Sequence, residues 1–104
     1  MTRAVPILED AFRVPRDHPS FPGHFPGTPI LPGAVLLDLV GVAARHTANW
    51  DVTGFPAAKF ARPVAPDDEI GVSFEPVGPQ RARFICRRGD EVVASGSLTF
   101  RPAS

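Results

Sequence analysis

The hydrophobic rhythm of the chain changes three times, and each change predicts an element. Ile7 to Val14 mixes apolar and polar positions and stops at Pro15, which suits a first strand or strand-like arm. Between Pro15 and Pro32 stand Pro15, Pro19, Pro22, Pro26, Pro29 and Pro32 with Gly23 and Gly27, so neither helix nor sheet persists there. A long loop is expected, and proline restricts its backbone to few conformations, as rigid placement of a side chain would require.

Gly33 to about Asn49 then reads as a helix. Ala34, Val35, Leu36, Leu37, Leu39, Val40, Val42, Ala43 and Ala44 are apolar around nearly its whole circumference, which predicts burial on most sides. Pro32 suits the first turn, Arg45 and His46 favour the C-terminal end, and Asn49 or Gly54 can end the helix. After Gly54 the pattern turns to strands over Ala57 to Val64, Glu69 to Val77, Gln80 to Arg88 and Glu91 to Arg101. Ala65-Pro66-Asp67-Asp68, Gly78-Pro79 and Gly89-Asp90 separate them and read as short hairpin turns. In the last strand Val92, Ala94, Gly96, Leu98 and Phe100 share one face by the two-residue period. The sum is an α+β fold, an antiparallel sheet wrapped around one central apolar helix. A helix so apolar needs more cover than one small sheet gives, which favours association with another copy.

With 104 residues the chain has the size of a single domain, 1–104. Lys plus Arg and Asp plus Glu number 11 each, so no global field draws a polyanion, and no nucleic-acid partner is expected. The single Cys86 has no partner for an internal disulfide, in keeping with a cytoplasmic setting. No signal peptide or membrane span is visible: the N-terminus lacks an apolar core, and the longest apolar stretch, Ala34 to Leu37, is broken by Asp38. His18, His24, His46 and Cys86 are scattered without metal-ligand spacing, so no metal is expected.

Asp38 is the polar interruption in an apolar helix. Such a carboxyl either points to solvent or is partly desolvated and available as a general acid. His24 lies in Phe21-Pro22-Gly23-His24-Phe25-Pro26-Gly27, where prolines set direction and glycines allow close backbone approach. Together they would supply a base and an acid to one apolar cleft. A third element is the helix start, where the backbone N–H groups of Gly33 and Ala34 are free at the positive end and suited to a developing oxyanion.

The run Gly23-His24-Phe25-Pro26-Gly27-Thr28-Pro29-Ile30-Leu31-Pro32-Gly33, with Asp38 fourteen positions after His24, resembles the signature of the hotdog-fold 3-hydroxyacyl-[acyl-carrier-protein] dehydratases of fatty-acid synthesis. Ala58-Lys59-Phe60-Ala61-Arg62-Pro63-Val64-Ala65-Pro66-Asp67-Asp68 resembles the strand and turn that follow the helix in the same family. The resemblance implies a hotdog fold and a homodimer, or a larger assembly, with active sites shared at the interface. It also implies a lyase that needs no cofactor of its own, its acyl thioester carried on the phosphopantetheine of acyl carrier protein. By the same resemblance His24 removes the proton beside the carbonyl, Asp38 of the partner subunit protonates the departing hydroxyl, and the Gly33 N–H holds the thioester oxygen.

The family has Glu or Asp at the helix position; the Asp form occurs in dehydratases of which some also isomerise, which does not follow from Asp alone. Members commonly carry Gln one turn further on, where this chain has Val42, so a hydrogen-bond partner of the acid is missing. The chain is also short for the family and resembles the small dehydratase-like proteins of aryl-polyene pigment clusters. Leu31, Leu36, Phe55 and Phe60 are candidates to line an acyl tunnel, or are ordinary core. Arg13, Arg16, Arg62, Arg81, Arg83, Arg87 and Arg88 either meet an acidic carrier or form a solvated sheet face. Two alternatives stay open: a hotdog acyl thioesterase, and a catalytically degenerate subunit that binds acyl carriers.

Overall fold

A computed structural model describes residues 7–14, 16 and 30–103. Along them run β1 (Leu8–Arg13), α1 (Gly33–Ala48), β2 (Trp50–Phe60), β3 (Glu69–Gly78), β4 (Arg81–Arg88) and β5 (Glu91–Pro102). The strands form one five-stranded sheet in the order β1-β3-β4-β5-β2, with every neighbouring pair antiparallel. The sheet packs around α1, which touches β1, β2 and β3.

The helix begins and ends where the sequence predicts. Asn49 closes it in the left-handed region (φ 58°, ψ 40°), donating its N–H to the carbonyls of Ala44 and Arg45. Its burial is narrower than the composition implies. Leu36, Val40, Ala43 and Ala44 are buried, whereas Ala34, Asp38, Val42 and Arg45 form an exposed stripe. Val42 is 65% exposed. A single sheet can cover only one side of a helix, and among the described residues nothing covers the other side.

Alternation holds in β3 and β4. Ile70, Val72 and Phe74 from the first, and Ala82, Phe84 and Cys86 from the second, point into the core, each fully buried aromatic or aliphatic side chain contributing roughly 1.5–3 kcal/mol. Burial pushes the Cys86 thiol up to about 12. In β5 the predicted face is wrong at Val92. Cys86 pairs with Ala94 and Arg87 with Val92, so Val93 is the extra residue of a bulge. The bulge moves Val92 outward and buries Val93 beside Ala94, after which Leu98 and Phe100 resume the inward phase.

Two further expectations are corrected. The strand placed at Ala57 to Val64 is β2, Trp50–Phe60. The left-handed Asn49 turns the chain so sharply that the strand starts at once, and Gly54 sits inside it at a register irregularity rather than ending the helix. Ala65 to Asp68 is not a hairpin turn, because β2 lies beside β5 and β3 lies beside β1. The segment from Ala61 to Asp68 is a crossover between strands that are not neighbours. It starts with the N–H groups of Ala61 and Arg62 both donating to the bulge carbonyl of Val93 (2.9 and 3.2 Å). The other two turns join neighbouring strands as predicted, and Gly89 adopts φ +61° in the one between β4 and β5.

Trp50 opens β2 with its ring stacked on Phe100 (centroids 3.9 Å apart, 14°) and edge-on to Phe74 (6.0 Å, 76°). In the last turn of the helix, His46 Nδ1 lies 3.0 Å from Asp10 Oδ2, and the Thr47 hydroxyl donates to the Glu9 carbonyl, tying α1 to β1.

Two tests follow from this packing. A Cβ on Gly96 would overlap the Ala57 carbonyl and approach Ala58 Cα to 3.0 Å, backbone that has no free room to move. Gly96→Ala is expected to destabilise the chain by about 1–3 kcal/mol in urea unfolding, as overpacking does. The hydrogen bond with His46 holds the Asp10 carboxyl below its ordinary range, opposed by burial, which raises it. The depressed value means that stability is present above the ordinary aspartate pKa of about 3.9 and is lost as pH falls through the lowered folded value. Asp10→Asn should therefore flatten this acid limb in a series of unfolding midpoints taken at falling pH.

Candidate active site

Among the described residues, the helix start is held by backbone hydrogen bonds. Pro32, extended at φ −60° and ψ 144°, is the N-cap residue, and its carbonyl accepts from Val35 and Leu36 at 3.0 and 3.1 Å. Proline offers no capping side chain, and the first turn carries no acid. Among the described residues, the positive end of α1 with its Gly33 and Ala34 N–H groups is thus left without a side-chain cap. Leu31 N–H donates to the Val64 carbonyl at 2.8 Å and sets the chain just before the helix against the crossover.

A groove of about 470 Å³ opens at this point, with walls from Ile30, Pro32 and Gly33 on one side and Phe60, Arg62 and Pro63 on the other. Its lining is mostly apolar, with buried Leu31 and Leu36 also contributing. Phe60 is 48% exposed and lies flat enough over the helix start that a Cβ on Gly33 would come within 2.8–3.0 Å of three of its ring atoms. Glycine at position 33 is what allows an aromatic ring and a bare helix end to share this place.

The structure gathers Leu31, Gly33, Leu36 and Phe60 at one groove. Phe55 does not join them: it is half-buried and meets Phe84 edge-on, 5.7 Å away at 83°. Asp38 and Ala34 lie on the exposed stripe of the helix, and Asp38 is about 7.5 Å along the axis from Gly33 by helical rise. His24, and His18 with it, fall outside the described residues.

The arginines considered as carrier contacts are mostly paired. Arg13 meets Glu69 (3.4 Å), Arg16 meets Asp67, Arg83 meets Glu75 (3.6 Å) and Arg62 meets Glu91 (3.4 Å). These exposed pairs contribute roughly 0–1 kcal/mol each. Arg88 differs. It donates to Asp68, Glu91 and the Pro63 carbonyl together, and the bonds to Glu91 and Asp68 hold its proton more firmly than usual. Nothing in the alternation of β4 singles it out, since Arg87 and Arg88 read as one charged end. Among the described residues no cluster of His, Cys, Asp and Glu is arranged to hold a metal, and no helix is long and apolar enough to cross a membrane.

One antiparallel sheet around one helix, with an apolar groove at the uncapped helix start, defines a hotdog-fold protein. The solved structures agree: an uncharacterized protein from Erwinia carotovora subsp. atroseptica superposes with TM-score 0.74 at 28% identity, covering 92% of this chain and 83% of its own. The dehydratase heterocomplex ApeI:P of Xenorhabdus doucetiae gives 0.73 at 20% identity over 96% and 91%, and a point mutant of the fluoroacetyl-CoA-specific thioesterase FlK gives 0.67 at 16% over 94% and 85%. At those identities the last two speak for the fold.

The family model of the ApeI-like proteins, described as ApeI dehydratase, matches residues 7–97, and the chain belongs to this dehydratase family. It is similar to the 3-hydroxyacyl-[acyl-carrier-protein] dehydratase FabZ of Symbiobacterium thermophilum, 32% identical over 100 residues that cover 84% of this chain and 70% of the relative. With FabZ of Chlamydia trachomatis it shares 30% over 99 residues, 81% of this chain and 65% of that enzyme, so it spans about two thirds of that relative's length.

The contact between Gly33 and Phe60 yields its own test. Because the obstacle to a Cβ at position 33 is the tip of a half-exposed ring, Gly33→Ala should fold by pushing Phe60 aside. Unfolding free energies of Gly33→Ala, Phe60→Ala and the double variant are expected to be non-additive by about 0.5–3 kcal/mol, the glycine substitution costing less once the ring is gone.

Proposed function

We propose that the chain is a hydro-lyase converting 3-hydroxyacyl thioesters on acyl carrier protein to enoyl thioesters and water, in fatty-acid or polyene-type synthesis. The observation that carries this reading is the uncapped helix start opening on an apolar groove in a member of a dehydratase family. In the proposed mechanism the thioester carbonyl accepts from the Gly33 N–H, with Ala34 beside it, and negative charge developing on that oxygen is stabilised by fixed donors. His24 takes the proton from the carbon next to the carbonyl. Asp38 gives its proton to the hydroxyl on the next carbon, the C–O bond breaks with its electrons, and water leaves as the double bond forms. Atoms balance without metal or redox cofactor, and none is part of the proposal.

A homodimer belongs to the same reading. Asp38 faces outward with Val42 on a stripe of α1 that the described residues leave uncovered, and a second copy would supply the cover for a cleft around it. Edge strand β2 is eleven residues long, with Ala57, Ala58, Lys59 and Phe60 exposed, and would extend the sheet of a second copy. Asp38 of one protomer would then serve the His24 of its partner. The lone buried Cys86 is in keeping with a cytoplasmic setting.

The purified chain is expected to convert 3-hydroxyacyl carrier thioesters to enoyl products by mass spectrometry of the carrier. His24→Ala and Asp38→Asn should each lower kcat/KM by about 10²–10⁴-fold, the usual contribution of a positioned acid or base, with circular dichroism unchanged. Release of free carrier thiol without an enoyl product would establish the thioesterase reading in its place. Product appearing only after a second hotdog chain is added would make this chain one half of a heterocomplex.

A further inference from the structure

The crossover that brings β2 to β3 touches the fold on both sides of the segment that carries His24. On the near side, Val14 N–H donates to the Asp68 carbonyl (3.0 Å) and Asp67 N–H donates to the Val14 carbonyl (2.8 Å). Arg13 adds a bond to the Asp67 carbonyl (3.2 Å), and Arg16 pairs with the Asp67 carboxylate (Nε to Oδ2, 2.8 Å). On the far side, Leu31 N–H donates to the Val64 carbonyl, two residues before Gly33. Val14, at the end of β1, and Leu31, just before α1, are therefore both fastened to one short stretch, Val64 to Asp68.

That stretch has little to hold it in place by itself. It is a single turn closed by Asp68 N–H to the Ala65 carbonyl (3.2 Å), with Asp67 in the left-handed region at φ 69°, which an aspartate adopts more readily than most residues. Beyond its bonds to Val14, Arg13, Arg16 and Leu31, it is fastened to the sheet by Arg88 at the end of β4. One guanidinium nitrogen donates to Asp68 Oδ2 (2.7 Å) and to the Pro63 carbonyl (3.0 Å), and the other donates to Glu91 Oε1 (2.5 Å). The same Asp68 oxygen accepts the Ala65 N–H at 2.8 Å, and Glu91 also meets Arg62. Arg88 is only 34% exposed and Asp68 21%, so the pair is shielded as the other ion pairs of the sheet are not.

We infer that Arg88 is a positioning residue: through Asp68 and Pro63 it sets the crossover turn and, through that turn, both ends of the His24-bearing segment and the approach to the Gly33 N–H. A planar fork with several donors suits this task, because a lysine ammonium could keep one partner but not the spread of three. The catalytic part of this inference rests on the dehydratase reading above, whereas the anchoring part does not.

The test compares Arg88→Met, Arg88→Lys and Asp68→Asn with the intact chain and with Arg83→Gln, a control on the outer face of the same strand. Amide hydrogen exchange is read at Val14, Leu31 and Asp67 against the core amides of Phe74, Phe84 and Leu98. Arg88→Met should speed exchange at the first three by about tenfold or more while the core amides hold, the mark of a local opening. Arg88→Lys should fall between, and Arg83→Gln should change nothing. In dehydration of a 3-hydroxyacyl carrier, Arg88→Met should lower kcat by about ten- to a hundredfold, as misplacement of reacting groups does, with KM nearly unchanged and partial recovery in Arg88→Lys. Unchanged exchange at Val14 and Leu31 in Arg88→Lys and Asp68→Asn, or exchange that rises equally at the core amides, overturns the inference, whether or not Arg88→Met folds. An intact chain that dehydrates none of its carriers overturns the functional reading and leaves the exchange result to decide the anchor.

Discussion

The chain must travel from one edge region of its sheet to the other between β2 and β3, and the hydrogen bonds that fasten this crossing govern how the rest can be arranged. β2 ends beside β5 and β3 begins beside β1, so Ala61 to Asp68 has to pass the ends of the two strands between them. Backbone groups on such a path lack ladder partners, and leaving them unpaired would be costly. Here they find them at the Val93 bulge, at Val14 and at Leu31. The bulge, which breaks the alternation of β5, is thus also the acceptor that starts the crossing. An irregularity in one strand and the path of a distant segment are parts of one arrangement.

Much of the fold was legible because local and global preferences agree. Alternation in Glu69–Gly78 and Arg81–Arg88 and the continuous apolar run after Pro32 point to the elements that form. The errors lie where a single residue changes phase or direction. Asn49 in the left-handed region starts β2 seven residues before the expected point, and one extra residue at Val93 exchanges the roles of Val92 and Val93. Neither event leaves a periodic trace, since each is a local backbone choice decided by distant pairing. Strand order is harder still: Ala65-Pro66-Asp67-Asp68 has hairpin composition, and only the ladder partners reveal a crossover.

At the site, Gly33 and Phe60 were both readable as candidates, but their mutual contact was not, because 27 positions separate them and only the fold brings them together. Asp38 was conspicuous as a charge in an apolar run, and its exposed placement fits the simplest reading of such a residue within one chain. The helix composition overstated burial for the same reason: sequence records the cover a helix needs, whichever segment or chain supplies it, and Val42 marks a portion that the described residues leave bare. His24 rests on its motif. Arg88 could not have been picked from its neighbours by residue type, as its distinction lies in three acceptors, two on the crossover and one at the start of β5.

Trp50 has an optical consequence. It is the single tryptophan of a chain that has no tyrosine, so essentially all indole emission comes from one ring. That ring belongs to the first residue of edge strand β2, just past the end of the helix, and stacks on Phe100 across the β2–β5 ladder. Its spectrum is therefore a built-in gauge of edge geometry, sensitive to whatever bends, peels or covers that side of the sheet, with no dye attached.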